Sequence, residues 1–306
     1  MGQAPLVGAE STGGVPAGSG WACGTFGELM QGVLPDGRHF LVTLPISRGT
    51  TASFRYDSGS PEIRLSPPDK RKSARLARLA LESLGRPGGG ELRIISDLPE
   101  GKGLASSSAD LVATARAVAD AFGTVFEATA IESLLRGIEP SDGVMHDDIV
   151  AFYHREVRLH SRLGSLSPLA IIGYDEGGQV DTVEFNRRRP AVSTAERREY
   201  AAQLDRLARA VADTDLCTVG EVATWSACRD ARRRRRPAIR LMLRACAEVG
   251  GYGVVAAHSG TMLGVLVDAD DPQLLAKASA VRSACGAVDL LHYRPAGQIL
   301  LARNGD

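Results

Sequence analysis

Between Pro99 and Ala109 the chain reads Pro-Glu-Gly-Lys-Gly-Leu-Ala-Ser-Ser-Ser-Ala, which places two glycines, one lysine and three serines within a few residues of each other. The chemistry such a group can do is anion binding. Gly101 and Gly103 let the backbone approach an anion with no side chain in the way, and Ser106, Ser107 and Ser108 carry hydroxyls that can bond phosphate oxygen or a magnesium ion. Before the loop, Leu92, Ile94 and Leu98 follow a strand-like pattern; after it, Leu111, Val112, Ala115, Val118, Ala119 and Phe122 recur at helical spacing. The order is therefore strand, loop, helix. The first-turn N–H groups of such a helix lack intrahelical partners and, with the helix dipole, attract phosphate. The competing reading is an ordinary turn whose serines cap the helix. Two well-known phosphate loops are excluded: no Gly-x-x-x-x-Gly-Lys-Ser/Thr occurs, and Ser106 stands where Gly-x-Gly-x-x-Gly needs its third glycine.

A phosphate site that does chemistry also needs carboxylates, and Glu139-Pro140-Ser141-Asp142 supplies two on one turn. Glu139 is suited to a metal ion and Asp142 to accepting a proton from an attacking hydroxyl; against this, Asp142 can cap the next element and Glu139 can be solvated. A third patch, His258-Ser259-Gly260-Thr261, links two apolar segments. It offers backbone donors for an anion and a histidine for a substrate, or is simply a tight hairpin. The fourth is Gly24 to Gly32, where Gly27 and Glu28 place an acid between glycines. A buried acid there suits a substrate ammonium or hydroxyl; a salt-bridged structural acid is the alternative.

The elements that must position these patches read as follows. Residues 1–20 are rich in Gly, Ala and Ser and are expected to be a flexible tail, with order beginning at Trp21. Strands are expected over 39–47, 50–56 and 91–97, and helices over 70–84, 106–122 and 127–136; 148–163 reads as extended. Further on, 169–174 and 180–185 flank Glu176-Gly177-Gly178 as a hairpin. Helices follow over 194–213, 218–229 and 239–249, then strands over 253–258 and 263–267, a helix over 272–285, and strands near 290–293 and 298–302. This mixture predicts two α+β domains, 21–165 and 166–306.

Composition bounds the function. With 306 residues, 44% hydrophobic, 24% charged and a formal net charge of zero, the chain is an ordinary globular protein with no overall pull toward nucleic acid or acidic membranes. No signal-like segment or spanning apolar run is visible, so a cytoplasmic location is expected. Five widely spaced cysteines argue against disulfide or zinc frameworks, and Cys23 reads as an apolar filler. His146, Asp147 and Asp148 lack metal-ligand spacing. The runs Arg187–Arg189 and Arg232–Arg236 lack interleaved aromatics and are expected to be solvated loops rather than a nucleic-acid surface.

Taken together the four patches resemble the GHMP kinase superfamily. Its signature Pro-x-x-x-Gly-Leu-x-Ser-Ser-x-Ala is met by Pro99, Gly103, Leu104, Ser106, Ser107 and Ala109. Within it, the chain is most similar to the L-threonine kinases of cobalamin synthesis, through Gly27 to Gly32, Lys102 to Ser107, Glu139 to Asp142 and Ala257 to Gly260. The resemblance implies a two-domain fold, with an N-terminal domain like the second domain of ribosomal protein S5 and a ferredoxin-like C-terminal domain. It implies ATP and Mg²⁺, with Pro99, Gly101, Lys102, Gly103, Leu104, Ala105, Ser106, Ser107 and Ser108 around the nucleotide. It assigns Ser107 and Glu139 to the metal, Asp142 as base, and Lys102 to the phosphate charge. Gly27, Glu28, Asp142, His258, Ser259 and Gly260 would meet the acceptor. Phe26, Gly143 and Val144 depart from the pattern at positions expected near the acceptor pocket.

The implied reaction is phosphorylation of the side-chain hydroxyl of L-threonine. The alternatives are another hydroxylated amino acid such as homoserine, or an ATP-binding protein without turnover; the intact Glu139 and Asp142 argue against the latter. The expected partners are a small hydroxylated amino acid and, as an open option, a second copy in a homodimer. Neither nucleic acid nor membrane is expected.

Overall fold

The computed structural model describes residues 15–178 and 192–295. Its frame is a ten-stranded sheet in the order β10-β7-β9-β8-β1-β2-β4-β3, with β5 and β6 branching off β2. The strands are β1 (Ala17–Val33), β2 (His39–Asp57), β3 (Ile63–Ser66), β4 (Gly89–Ser96), β5 (Ile149–Tyr153), β6 (Arg158–Gly164), β7 (Leu169–Asp175), β8 (Gly253–Ala256), β9 (Met262–Asp268) and β10 (Val288–His292). The helices are α1 (Arg71–Ser83), α2 (Ser106–Ala121), α3 (Ala128–Arg136), α4 (Thr194–Ala212), α5 (Leu216–Arg234), α6 (Ala238–Glu248) and α7 (Leu274–Cys285). None of these helices is long and apolar enough to cross a membrane.

The mixed α/β architecture agrees with the expected fold class, and several elements differ from expectation. β1 already begins at Ala17, so Ala17–Gly20 belong to the sheet rather than to a tail. The reason is a close crossing: a Cβ on Gly18 or Gly20 would lie 2.2 or 2.4 Å from backbone atoms of Ala121 and Ala113, so these glycines let α2 lie directly on the strand. The two strands expected over 39–47 and 50–56 form one continuous β2. Residues 148–163 form the antiparallel pair β5 and β6. Pairing of β7 runs to β9 and β10, and the expected strands 180–185 and 298–302 lie outside the described residues, as does Arg187–Arg189.

Two clusters make the core. The larger packs α2, buried on nearly every side, against β1 and β2 and extends to Tyr200, Leu207 and Val222 of α4 and α5. The smaller lies between α6, α7 and the strands β7 to β9. The proposed domain boundary near residue 165 falls in the link between β6 and β7. The sheet crosses it where Glu28 stands opposite Ala256, and an isolated antiparallel bridge between Ile46 and Tyr293 links the two parts a second time.

Candidate active site

The site is built where β1 gives up its regular ladder. Register shifts interrupt its pairing with β2 between Cys23 and Met30, and two of its amides turn to the glycine-serine loop instead. Thr25 N–H donates to the Leu104 carbonyl at 3.2 Å and Gly27 N–H to the Gly103 carbonyl at 3.0 Å. Bulges of this kind re-aim a strand at a functional site. From the other side, Thr261 N–H (3.2 Å) and Met262 N–H (3.3 Å) donate to the Lys102 carbonyl. The loop is thus pinned by its own backbone between the two halves of the chain.

Glycine is required for this crossing. A Cβ on Gly103, whose φ is +83°, would stand 2.4 Å from the Ala257 Cβ, and one on Gly260 would stand 2.0 Å from the Lys102 carbonyl oxygen. Gly103 therefore serves loop packing as well as anion approach.

The loop ends in Ala105, which adopts a left-handed conformation (φ 58°, ψ 30°) at the N-cap of α2 and provides no side-chain cap. The serines fall on the first turn, inside the helix, so the competing expectation that they cap it does not hold. An uncapped helix start with its orphan N–H groups, preceded by two left-handed glycines, is suited to phosphate oxygens.

The three serines have different surroundings. Ser107 is exposed, and its hydroxyl donates to Glu139 Oε1; Glu139 also pairs with the Lys72 ammonium. Ser108 is buried and faces the acidic turn: its Oγ accepts the Asp142 N–H at 3.1 Å and lies 3.1 Å from the Ser141 hydroxyl. It ties Asp142 to the helix start rather than meeting a nucleotide. Leu104 likewise contributes anchorage, with its side chain buried and its carbonyl taken by Thr25.

Asp142 lies deep among protein atoms and keeps partial solvent access. Among the described residues no donor pairs with its carboxylate. Burial, reinforced by the negative charges of Glu28 and then Glu139, pushes its pKa up to about 7. A carboxylate so placed can exchange a proton near neutral pH.

Glu28 is 5% exposed. Its Oε2 accepts both the backbone N–H and the ring Nδ1–H of His258, each at 2.9 Å. The other ring nitrogen, Nε2, is 3.1 Å from the Ser226 hydroxyl, whose oxygen accepts the Gln31 N–H at 3.2 Å. His258 is therefore buried and committed at both nitrogens. The expectation that it touches substrate gives way to a role in holding Glu28, while Ser259 keeps partial exposure on the same turn.

Three further expectations change. Lys102 is turned toward β7, its ammonium 2.6 Å from Asp175 and 2.8 Å from the Gly178 carbonyl, so the charge expected on phosphate is engaged elsewhere. Phe26 is fully buried and packs where Gly173 and Gly264 leave room; Val144 is also core, and a Cβ on Gly143 would meet Val150 at 2.8 Å. These departures follow from packing and do not define an acceptor pocket. Finally, Arg232–Arg236 is not a solvated loop. Arg234 donates to the carbonyls of Ala257, His258 and Gly260, and Arg236, buried, donates to those of Ala257 and Met262 while pairing with Glu176 and Asp230. The two arginines clamp the turn that underlies the phosphate loop.

Sequence reasoning missed three groups near the site. Lys70 joins Glu100 in the loop to Asp110 in α2, and burial of its ammonium is outweighed by those partners, which hold its pKa up. Lys72, which the sequence places only on the 70–84 helix, meets Glu139. Asp175 accepts from both Lys102 and Thr261. Four lysines in the whole chain, three of them beside the loop, were the available signal.

Comparison with known proteins adds family and fold likeness. Residues 72–156 match the model of the GHMP kinases N terminal domain. The chain is 26% identical over 247 residues to the L-threonine kinase of Salmonella typhimurium, covering 79% of this chain and 80% of that protein. It is also 26% identical over 244 residues to the L-threonine kinase of Citrobacter freundii, covering 79% and 83%. Among solved structures, a homoserine kinase from Cytophaga hutchinsonii aligns with a TM-score of 0.75 at 14% identity, over 96% of this chain and 98% of that one. The Methanococcus jannaschii mevalonate kinase aligns with a TM-score of 0.69 at 15% identity, over 93% and 99%. The domain match and the two relatives together indicate a kinase that phosphorylates a hydroxyl group. Residues 72–156 thus match a GHMP kinase domain, and the chain shares its fold with GHMP kinases.

Proposed function

We propose that this kinase transfers the γ-phosphoryl group of ATP to the side-chain hydroxyl of L-threonine, giving O-phospho-L-threonine and ADP. The observation that carries the reading is the bond from the Asp142 N–H to Ser108 Oγ, which fixes an unpaired carboxylate of raised pKa beside the uncapped start of α2. A base and a phosphate cradle then share one site. The similarity to two L-threonine kinases over about four-fifths of the chain supports the acceptor.

In this reading the backbone at Gly101 and Gly103 and the first amides of α2 hold the triphosphate, leaving the γ-phosphorus open to in-line attack. Positioning and electrostatics supply most of the rate. Ser107 and Glu139, a hydroxyl and a carboxylate already in contact, form an oxygen donor set that fits magnesium and would hold it. A cation held there would supply positive charge to neutralise the phosphates. Asp142 orients the acceptor hydroxyl and takes its proton as the new O–P bond forms and ADP departs. Glu28, fixed through His258, presents its carboxylate to the acceptor ammonium. The product would serve cobalamin synthesis in the cytoplasm.

Homoserine is the second reading, favoured by the fold shared with the homoserine kinase of Cytophaga hutchinsonii. ADP release measured with ATP, Mg²⁺ and, in turn, L-threonine, L-serine, L-homoserine and D-threonine separates the two. The highest kcat/KM is expected with L-threonine; a higher value with L-homoserine would reassign the acceptor, and no turnover with any of them would leave a nucleotide-binding protein.

A further inference from the structure

The chain takes almost all its positive charge from arginine: of 36 basic residues, 32 are arginine and only Lys70, Lys72, Lys102 and Lys277 are lysine. Three of the four stand around the phosphate loop. Lysine is a compact point charge on a flexible stem, able to exchange partners, whereas an arginine fork is committed by its planar geometry. The concentration of lysines at this one place therefore marks a site where a mobile cation is wanted.

The three differ in commitment. Lys70 is held by two carboxylates, Glu100 and Asp110, with its side chain 16% exposed. Lys102 is held by Asp175 and the Gly178 carbonyl at 19% exposure. Lys72, on the first turn of α1, has Glu139 as partner and is 57% exposed. Glu139 in turn accepts the hydroxyl of Ser107, on the first turn of α2, where the phosphates would lie. Lys72 is thus one carboxylate away from the cradle and has room to move. The surroundings also need it: Glu28, Glu139 and Asp142 gather negative charge at the place a triphosphate must enter.

We infer that Lys72 binds the phosphates of the nucleotide, moving from Glu139 to phosphate oxygen and thereby freeing both Glu139 oxygens for a divalent cation. This rests on the kinase reading above. Lys72 would be a direct substrate contact contributed by α1, an element the loop motif does not include. The charge released from Glu139 is then available where the donor set of Ser107 and Glu139 needs it.

Binding of ATP and of AMP, measured by calorimetry in EDTA without acceptor, tests this in the wild type, Lys72→Met, Lys72→Arg, Glu139→Gln and the double variant Lys72→Met/Glu139→Gln. ATP affinity should fall about tenfold in Lys72→Met while AMP affinity stays unchanged, and Lys72→Arg, which keeps the charge but not the compact mobile head, should recover only part of the loss. The same tenfold loss should appear when Lys72→Met is made on Glu139→Gln, because a direct phosphate contact does not depend on the carboxylate. Loss that vanishes in that background would show that the lysine only screens Glu139, and would overturn the inference, as would unchanged ATP affinity or equal losses for ATP and AMP. Wild-type protein that binds no ATP would instead fail the kinase reading itself, and this inference with it.

Discussion

In the proposed reaction Asp142 must be ionised in surroundings that oppose its charge. Burial comes first among the causes, then the repulsion of Glu28 and of Glu139, and together they bring its pKa to about 7. A raised carboxyl pKa makes a better proton acceptor once ionised, and reduces the fraction ionised below neutrality. The sign for activity follows: kcat should rise with pH through about 7 and level off above it. Replacing Glu28 with Gln removes one repelling charge, so the same limb should move to lower pH. A kcat profile measured at saturating ATP and acceptor checks both; a limb near the ordinary aspartate range in the wild type would contradict the assignment. The acids themselves were legible, because Glu139-Pro140-Ser141-Asp142 stands out as a turn carrying two carboxylates. What the sequence could not show was pairing. His258, Lys102 and Arg236 are residues of catalytic type, and each is committed to a partner 73 to 230 positions away or, for Arg236, to the carbonyls of a distant turn.

At the scale of elements, the cradle depends on two backbone crossings, β1 over the loop and the 257–262 turn beneath it. Both pass where Gly103 and Gly260 leave no room for a side chain. Gly103→Ala combines a left-handed φ with a close approach to Ala257, so it should destabilise the protein by about 1–3 kcal/mol and weaken ATP binding in the fraction that folds. Chemical denaturation with ATP calorimetry checks this; unchanged stability and affinity would show that the crossing is looser than described. Helix α2 was legible because apolar residues recur at helical spacing after a loop rich in glycine. β1 was only partly legible, because the glycines that admit α2 and the loop also erase the alternation by which a half-buried strand is recognised. The expected end of α5 fell short by five residues, since Arg232–Arg234 register in sequence as charge and in the structure as clamps on a buried turn.

In the whole molecule the site lies on the seam between the two halves. The strand pair Glu28 and Ala256, the Glu28–His258 bond and the pinning of Lys102 by Thr261 all cross it. The likeness to GHMP kinases was legible from four short motifs, whereas the continuous sheet was not, because register across a seam held by isolated residue pairs leaves no periodic trace. The motifs converge from residues 27, 102, 139 and 258, so a neutral chain with no overall steering charge can still hold a concentrated anion site. The central claim is that the start of α2 and Asp142 act on one triphosphate from its two sides. The most direct measurement pairs ATP calorimetry with phosphothreonine formation by ³¹P NMR for the wild type and Asp142→Asn. Near-normal ATP affinity with product formation reduced by about 10²-fold or more is expected; near-normal product formation by Asp142→Asn would contradict the account.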